Sequence, residues 1–278
     1  MPSPMPLITV TTATLAGGPG RNQDHAVVTD HAVAVLDGAT SWLPQDPDRD
    51  GGWYARALGA ELSGLLTDDV RPPAEIVAEG IGAVRDRYRL TPPECPSSTV
   101  TVARWVGGAL DLYTLGDSPA VVFLTGSDPV TVFDDQLERV GARERAAYRE
   151  HLRGGAGYDA ELAGLVAELQ RAERAVRNRD GGYWIAGSDP AAAAHGVTAG
   201  YPLDQVEAVL LASDGIAADV TEYGRNTWAD ALHLLTHADP ADYLRSVHSA
   251  EEADHNGTWW PRPKRHDDKT VALVRLHR

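Results

Sequence analysis

The chain contains very little cysteine and very little lysine. Among its 278 residues there is one cysteine, Cys95, and lysine occurs only as Lys264 and Lys269. A single cysteine excludes an intrachain disulfide and favours a reducing compartment, so we expect a cytoplasmic protein. The formal net charge of −15 argues against binding to nucleic acid or to an anionic membrane, because both require positive patches.

Long apolar runs are also missing. No 18 consecutive apolar residues occur, so no membrane span is expected. The N-terminal MPSPMPLITV lacks a basic segment followed by an apolar one, and we therefore expect no signal peptide. Hydrophobic residues still make up 43% of the chain, which is enough for the core of one large domain or two small ones.

Periodicity divides the chain into strands and helices. Segments 6–14 and 25–36 are rich in β-branched residues and predict strands, whereas 53–66 and 73–89 have apolar residues at helical spacing. Further strands are predicted at 98–105, 109–116, 120–126, 207–212 and 270–276, and helices at about 228–248. The charged segment 134–179 has a helical pattern and is interpreted as an insertion over the sheets. This order predicts one α+β domain built on antiparallel sheets.

Acidic residues stand where the predicted strands begin or end. Asp37 and Asp214 each follow an apolar run and precede a glycine, Asp117 lies in a Gly-Asp-Ser turn, and Asp24 and Asp267 precede strands. Taken singly, each is explained by turn formation or by a solvated strand end. Together, such acids suit a hard divalent cation, Mg²⁺ or Mn²⁺, bound through oxygen ligands.

The order of these motifs resembles the metal-dependent protein phosphatases, the type 2C (PPM) serine/threonine family, over nearly the whole chain. The motifs are RNQD (21–24), VAVLDGA (33–39), SSTVTVA (97–103), LGDSPAVVF (115–123), LLASDG (210–215) and DDKTVALV (267–274). The resemblance implies a sandwich of two antiparallel β-sheets with α-helices on both sides. It also implies a single bacterial-type domain over 1–278, with a helical flap at about 134–187.

The same resemblance implies a two-metal hydrolase. Asp37 would bridge two ions, and the other implied metal ligands are Asp24, Gly38 through its carbonyl, Asp117, Asp214 and Asp267. Asp37 and Asp214 are the expected catalytic residues, with a third ion possible near Asp117. A water shared by two Mg²⁺ or Mn²⁺ ions would lose a proton and attack the phosphorus of a phosphoserine or phosphothreonine. The expected partner is a phosphorylated protein in signalling, and we expect the enzyme to be a monomer.

Several positions depart from the family pattern. Gln23 stands where the family commonly has Glu, which predicts one weaker metal site. Pro19 stands where the phosphate-binding arginine usually lies, and Arg21 is the candidate that could replace it. Ala39 stands where eukaryotic members have His, so the group that protonates the leaving oxygen is unassigned, and Pro119 replaces an Arg.

The segment 256–266, NGTWWPRPKRH, has the densest basic and aromatic content. Arg262, Lys264 or Arg265 could lie near a phosphate, or the loop could simply pack on the domain through Trp259 and Trp260. Two functional classes therefore stay open: a working phosphoprotein phosphatase, or a catalytically weak or inactive phosphatase-like module that binds a phosphorylated partner.

Overall fold

The computed structural model describes residues 7–41, 46, 48–92 and 95–277. Two five-stranded sheets form the centre of the molecule, and all strands within each sheet pair in antiparallel fashion. In spatial order the first sheet contains β1 (Leu7–Leu15), β10 (Lys269–His277), β9 (Val206–Ala212), β6 (Ala120–Leu124) and β7 (Val130–Val132). The second sheet contains β2 (Asp24–Val28), β3 (Ala32–Asp37), β4 (Val100–Val106), β5 (Ala109–Leu115) and β8 (Val197–Pro202).

Helices lie on the outer faces of both sheets and in the segment between β7 and β8. They are α1 (Gly51–Leu65), α2 (Pro73–Tyr88), α3 (Gln136–Arg139), α4 (Ala142–Arg153), α5 (Ala160–Val176), α6 (Asp214–Thr221), α7 (Trp228–His237) and α8 (Pro240–Ala253), with short 3₁₀ turns at Pro190–His195 and Leu203–Gln205. None of the helices within the described ranges is both long and apolar enough to span a bilayer.

Alternating side chains of the central strands enter two different cores. In β3, Val33 and Val35 join the cluster between the two sheets, whereas Ala34 and Leu36 join the cluster under α1 and α2. The outer face of the first sheet packs on α6, α7 and α8 in a third cluster. Strands covered on both faces read as continuous apolar runs, which is why their sequences show little alternation. The predicted sandwich with helices on both sides is confirmed.

Some element boundaries differ from the predictions. Segment 25–36 is not one strand: the chain turns at residues 29–31, where the Thr29 amide donates to the Ala32 carbonyl, so that β2 and β3 pair as a hairpin. The helices predicted at about 228–248 are α7 and α8, and the second begins at Pro240 with Asp239 as its N-cap. Strands β7 and β8 were not predicted. Residue 6, the first of the predicted strand 6–14, lies outside the described residues.

The segment 134–187 carries an apolar cluster of its own. Tyr148 and Leu152 of α4 pack with Leu162, Val166 and Leu169 of α5. This cluster is separate from the three clusters that hold the sheets and outer helices together. The insertion therefore folds as a helical pair laid against the sandwich.

Candidate metal centre

Asp24 and Asp37 face each other at one end of the second sheet. They are directly opposed in the β2–β3 ladder, Asp24 as the first residue of its strand and Asp37 as the last. The backbone of Asp37 is held by Thr99, whose amide donates to the Asp37 carbonyl at 2.9 Å and whose hydroxyl accepts from the Asp37 amide at 3.1 Å. Ser118 in turn hydrogen-bonds the Thr99 hydroxyl at 2.8 Å. The end of β3 is thus fixed from both sides.

A close backbone contact places the start of α1 beside the end of β3. A Cβ at Gly38 would lie 2.3 Å from the carbonyl carbon of Gly51, so the two glycines allow a separation that a larger residue at Gly38 would prevent. Asp50 caps the helix by accepting from the Trp53 amide at 2.7 Å. The Asp-Gly pair at 37–38 is therefore required for packing as well as for the turn.

Asp214 comes from the first sheet to the same place. The strand β9 ends at Ala212, and the next residue, Ser213, is tied to Thr270 of β10 by two hydrogen bonds of 3.0 and 2.9 Å. The next residue begins α6, and its amide donates to Asp37 Oδ2 at 3.4 Å. This contact joins the ends of the two sheets, 177 residues apart in sequence.

Two adjacent acids before β10 have different roles. Asp268 accepts from the amides of Gly17 and Gln23, both at 2.7 Å, and so anchors the loop before β2 to the last strand. Asp267 instead faces the ammonium of Lys264 at 2.5 Å. Asp267 thus faces a charged group, whereas both oxygens of Asp268 are used in holding the fold.

The environment of these acids opposes their ionisation. Burial raises the pKa of Asp24 to about 7 and that of Asp117 to about 6, with a contribution to each from the charge of Asp267. Burial also raises the pKa of Asp37 well above its ordinary range, and the Asp214 charge adds to this effect. The pKa of Asp214 is raised by burial and then by Asp267. Removing carboxylates from water and placing them together makes a second negative charge costly unless a cation is present.

Unpartnered buried oxygens provide a test of whether a cation fits. Both carboxylate oxygens of Asp24 and Oδ1 of Asp214 are buried without a hydrogen-bond donor. Such atoms are rare in folded proteins and call for a missing partner. A set of carboxylates suits Mg²⁺ or Mn²⁺, which prefer oxygen ligands. The residues present therefore fit divalent ions.

The strand-end acids are spread rather than clustered tightly. Within the described residues, the groups of three that bring ligand atoms within 4.8 Å of one another are His248, Glu251 and His266, and His151, Asp159 and Glu161. In the first group, Glu251 already accepts from Lys269 at 2.7 Å and His266 at 3.1 Å, so its charge is balanced. Sequence reasoning missed this buried network, which no local motif signals.

The positively charged side chains that the sequence suggests for phosphate binding have different surroundings in the structure. Arg262 is buried, bonds Asp254 Oδ2 at 2.9 Å and donates to several backbone carbonyls, so it is structural. Arg265 lies over the ring of Tyr158. Arg21 is exposed on the loop before β2. Of the cations suggested by the sequence, Lys264 is the one bonded to a strand-end acid.

Lys264 is held in its charged form. Burial by itself disfavours the ammonium, but the surrounding carboxylates, foremost Asp267, outweigh burial and raise its pKa. The ammonium also donates to the Thr40 hydroxyl at 2.9 Å, and Thr40 donates to Gln23 Oε1 at 2.6 Å. The side chain of Gln23 is thus committed to Thr40.

A cavity of about 840 Å³ opens beside the acids. Asp117, Asp214, Asp267 and Lys264 belong to its lining. Helix α4 and the loop before β10 supply other lining residues: Arg145, Arg149, Arg153, Trp259 and Trp260. The cavity places Asp117, Asp214 and Asp267 in contact with a space large enough for part of a polypeptide.

No family model matches the sequence, and no curated protein matches it. Solved structures do match. The Mycobacterium tuberculosis serine/threonine phosphatase PstP/Ppp has a TM-score of 0.59 and 16% identity, with 98% of this chain and 99% of that chain covered. The PPM Ser-Thr phosphatase MsPP from Mycobacterium smegmatis, in complex with cacodylate, has a TM-score of 0.55 and 20% identity, with 98% and 100% covered.

A further match is the catalytic domain of serine/threonine protein phosphatase PstP in complex with two manganese ions. It has a TM-score of 0.56 and 16% identity, and the match covers 98% of this chain and 99% of that chain. At these identities the comparisons establish the fold. The chain has the fold of the PPM serine/threonine phosphatases over nearly its whole length.

Proposed function

We propose that this protein is a member of the PPM family and a metal-dependent serine/threonine phosphoprotein phosphatase. The observation that carries the proposal is the meeting of strand-end acids from both sheets, with buried unpartnered oxygens on Asp24 and Asp214, beside a large cavity. The shared fold and the manganese ions of the PstP catalytic domain support the same reading.

The ions, Mg²⁺ or Mn²⁺, would be held by residues from both sheets. These are Asp24, Asp37, the Gly38 carbonyl, Asp117, Asp214 and Asp267. When bound, two such ions lower the pKa of a coordinated water and neutralise the oxygens of a phosphoryl group. The chain's own part is to hold the ligands in place before ions arrive.

Several contacts do this. Thr99 fixes the backbone of Asp37, and the amide of Asp214 orients the Asp37 carboxylate. Asp268 clamps the loop that carries Gln23, which directly precedes Asp24. Preorganisation of this kind spares the cost of ordering the ligands during reaction.

The proposal also covers the domain organisation, the oligomeric state, the location and the substrate of the protein. We infer one catalytic domain with a flap over about 134–187 and a monomeric protein acting in the cytoplasm. The substrate would be a phosphorylated protein whose phosphoserine or phosphothreonine enters the cavity. The sequence pattern alone favours Arg21 for the phosphate, but Arg21 is not among the residues that line the cavity.

A second candidate function is binding of a phosphorylated partner without efficient turnover. Two contacts favour it: Gln23, where the family commonly has a carboxylate, is bonded to Thr40, and Lys264 already occupies one oxygen of Asp267. Both features lower the negative charge available to ions.

Hydrolysis of p-nitrophenyl phosphate with Mn²⁺ separates the two functions. We expect the full chain to hydrolyse it, EDTA to stop the reaction, and Asp37→Ala to reduce turnover at least about a hundredfold, since a shared ligand serves both ions. Asp128→Ala, on an exposed turn, is the matched control and should retain turnover. Activity that survives EDTA, or full turnover by Asp37→Ala, would contradict the metal mechanism.

A further inference from the structure

Lys264 places a positive charge among the acids of the candidate metal centre. Its ammonium lies 2.5 Å from Asp267 Oδ1 and 2.9 Å from the Thr40 hydroxyl, and its side chain is 27% exposed. The residue belongs to the cavity lining together with Asp117 and Asp214. The Lys264 side chain therefore lies among the acids and forms part of the cavity wall.

Rigid elements hold this ammonium in place. Thr40, which accepts from Lys264, donates its own proton to Gln23 Oε1 at 2.6 Å. The Thr40 carbonyl accepts from Gln170 of α5 at 2.7 Å. The position of Thr40 is thus set from the loop before β2 and from the insertion together, and Thr40 offers Lys264 an oxygen that carries no charge. The ammonium can keep this contact whatever happens at Asp267.

Three cations near Lys264 are already bonded or stacked elsewhere. Arg145, which also lines the cavity, bonds Glu173 at 3.1 Å. Arg262 is enclosed by Asp254 and backbone carbonyls. Arg265 lies over Tyr158, with its guanidinium carbon 5.6 Å from the ring centroid. Of these four cations, Lys264 is therefore the best placed to bind an anion beside the acids.

We propose that Lys264 is the phosphate-binding residue of this protein and that it holds Asp267 when no ion is bound. The proposal rests on the proposed function, because it takes the strand-end acids to be metal ligands. Once a divalent ion neutralises Asp267, the ammonium loses its ionic partner, and a phosphate dianion in the cavity supplies another. Lysine binds phosphate as a point charge, so a flexible side chain is suited to exchange Asp267 for a phosphate oxygen.

The test is calorimetric titration of inorganic phosphate into the full-length protein saturated with Mn²⁺. Loss of one charge-assisted hydrogen bond should weaken phosphate binding by Lys264→Met about tenfold or more. Lys264→Arg should retain affinity within about threefold, because it keeps the charge. Arg265→Met is the matched control, since it removes a neighbouring charge that faces Tyr158, and it should bind as the wild type does.

Titration of Mn²⁺ alone gives an independent readout. Lys264→Met should bind Mn²⁺ more tightly than the wild type, because Asp267 no longer has a competing cation. Lys264→Gln, which can still donate to Thr40, should show the same two changes and serves if the Met variant is poorly folded. Unchanged Mn²⁺ affinity in both variants would overturn the role of Lys264 on Asp267.

Three results would overturn the phosphate role. They are no measurable phosphate binding by the wild type, unchanged phosphate affinity in Lys264→Met and Lys264→Gln, or a larger loss in Arg21→Met than in Lys264→Met. Failure of the proposed function is distinguishable, because these titrations need no turnover. If the wild-type protein binds phosphate through Lys264 but hydrolyses no phosphate ester, the role of Lys264 is supported and the proposed phosphatase function is wrong.

Discussion

Substitution of Asp24 by Asn should change how the stability of the ion-free protein depends on pH. Burial raises the pKa of Asp24 from its ordinary 3.8 to about 7, and both its oxygens lack a hydrogen-bond donor. Between these two pH values the folded protein keeps a proton that the unfolded chain releases. The contribution of Asp24 to the free energy of unfolding therefore falls as the pH rises from about 4 to about 7 and then levels off.

The size of the effect follows from the pKa difference. At about 1.4 kcal/mol for each tenfold change in proton affinity, Asp24 alone accounts for a change of about 4 kcal/mol over the whole interval. About 2–3 kcal/mol of this falls between pH 5 and pH 8. Asn carries no charge at either pH, so the stability of Asp24→Asn minus that of the wild type should increase by about this amount from pH 5 to pH 8.

Urea unfolding in EDTA at pH 5, 6, 7 and 8 measures the difference directly. Asp128→Asn, on an exposed turn, is the control and should follow the wild type at every pH. With saturating Mn²⁺ the wild type should instead gain stability as pH rises, because the ion and the proton compete for the same oxygens. A constant difference between Asp24→Asn and wild type in EDTA would refute the reasoning.

Two further substitutions test the surroundings of the site. Arg262→Met should lower the free energy of unfolding by about 3–5 kcal/mol, because the buried Asp254 carboxylate would lose its positively charged partner. Urea unfolding measures this loss. The control, Arg265→Met, should lower the free energy of unfolding by less than about 1 kcal/mol. Replacing 141–176 with a Gly/Ser linker should leave a cooperatively folding protein that still hydrolyses p-nitrophenyl phosphate, since α4 and α5 form their own apolar cluster. A loss of cooperative unfolding in that variant would show that the insertion belongs to the core.

Most of the fold could be predicted because the residues that form its cores produce local apolar patterns in the sequence. The strand β3 reads as AVAVLD, and both faces of that strand are indeed buried. The hairpin at residues 29–31 was overlooked because Val28, Thr29 and Asp30 continue a β-type pattern without a glycine or proline to mark the turn. The strand β8 was missed for a different reason: it contains Gly200 and Pro202 and exists through its pairing with β5.

The candidate site was predictable only in part. Acids at the ends of apolar runs are visible in the sequence, and the structure places Asp37 and Asp214 within a hydrogen bond of each other. The ligand roles themselves stay predictions. The place of Lys264 could not be derived, since in sequence it is one of several cations in a loop and nothing local distinguishes it from Arg262 or Arg265.

By itself, the sequence determined the alternation of strands and helices and the positions of acids at strand ends, because both depend on local periodicity and turn chemistry. Only the tertiary structure decided what each acid does. Asp267 and Asp268 are adjacent, yet both oxygens of Asp268 accept hydrogen bonds from the amides of residues 17 and 23, about 250 positions away. Asp267 instead faces the cavity and Lys264. The charge state and ligand capacity of a carboxylate depend on its burial and on the donors around it, and those are brought together by the pairing of β1 with β10 and by the meeting of the two sheets.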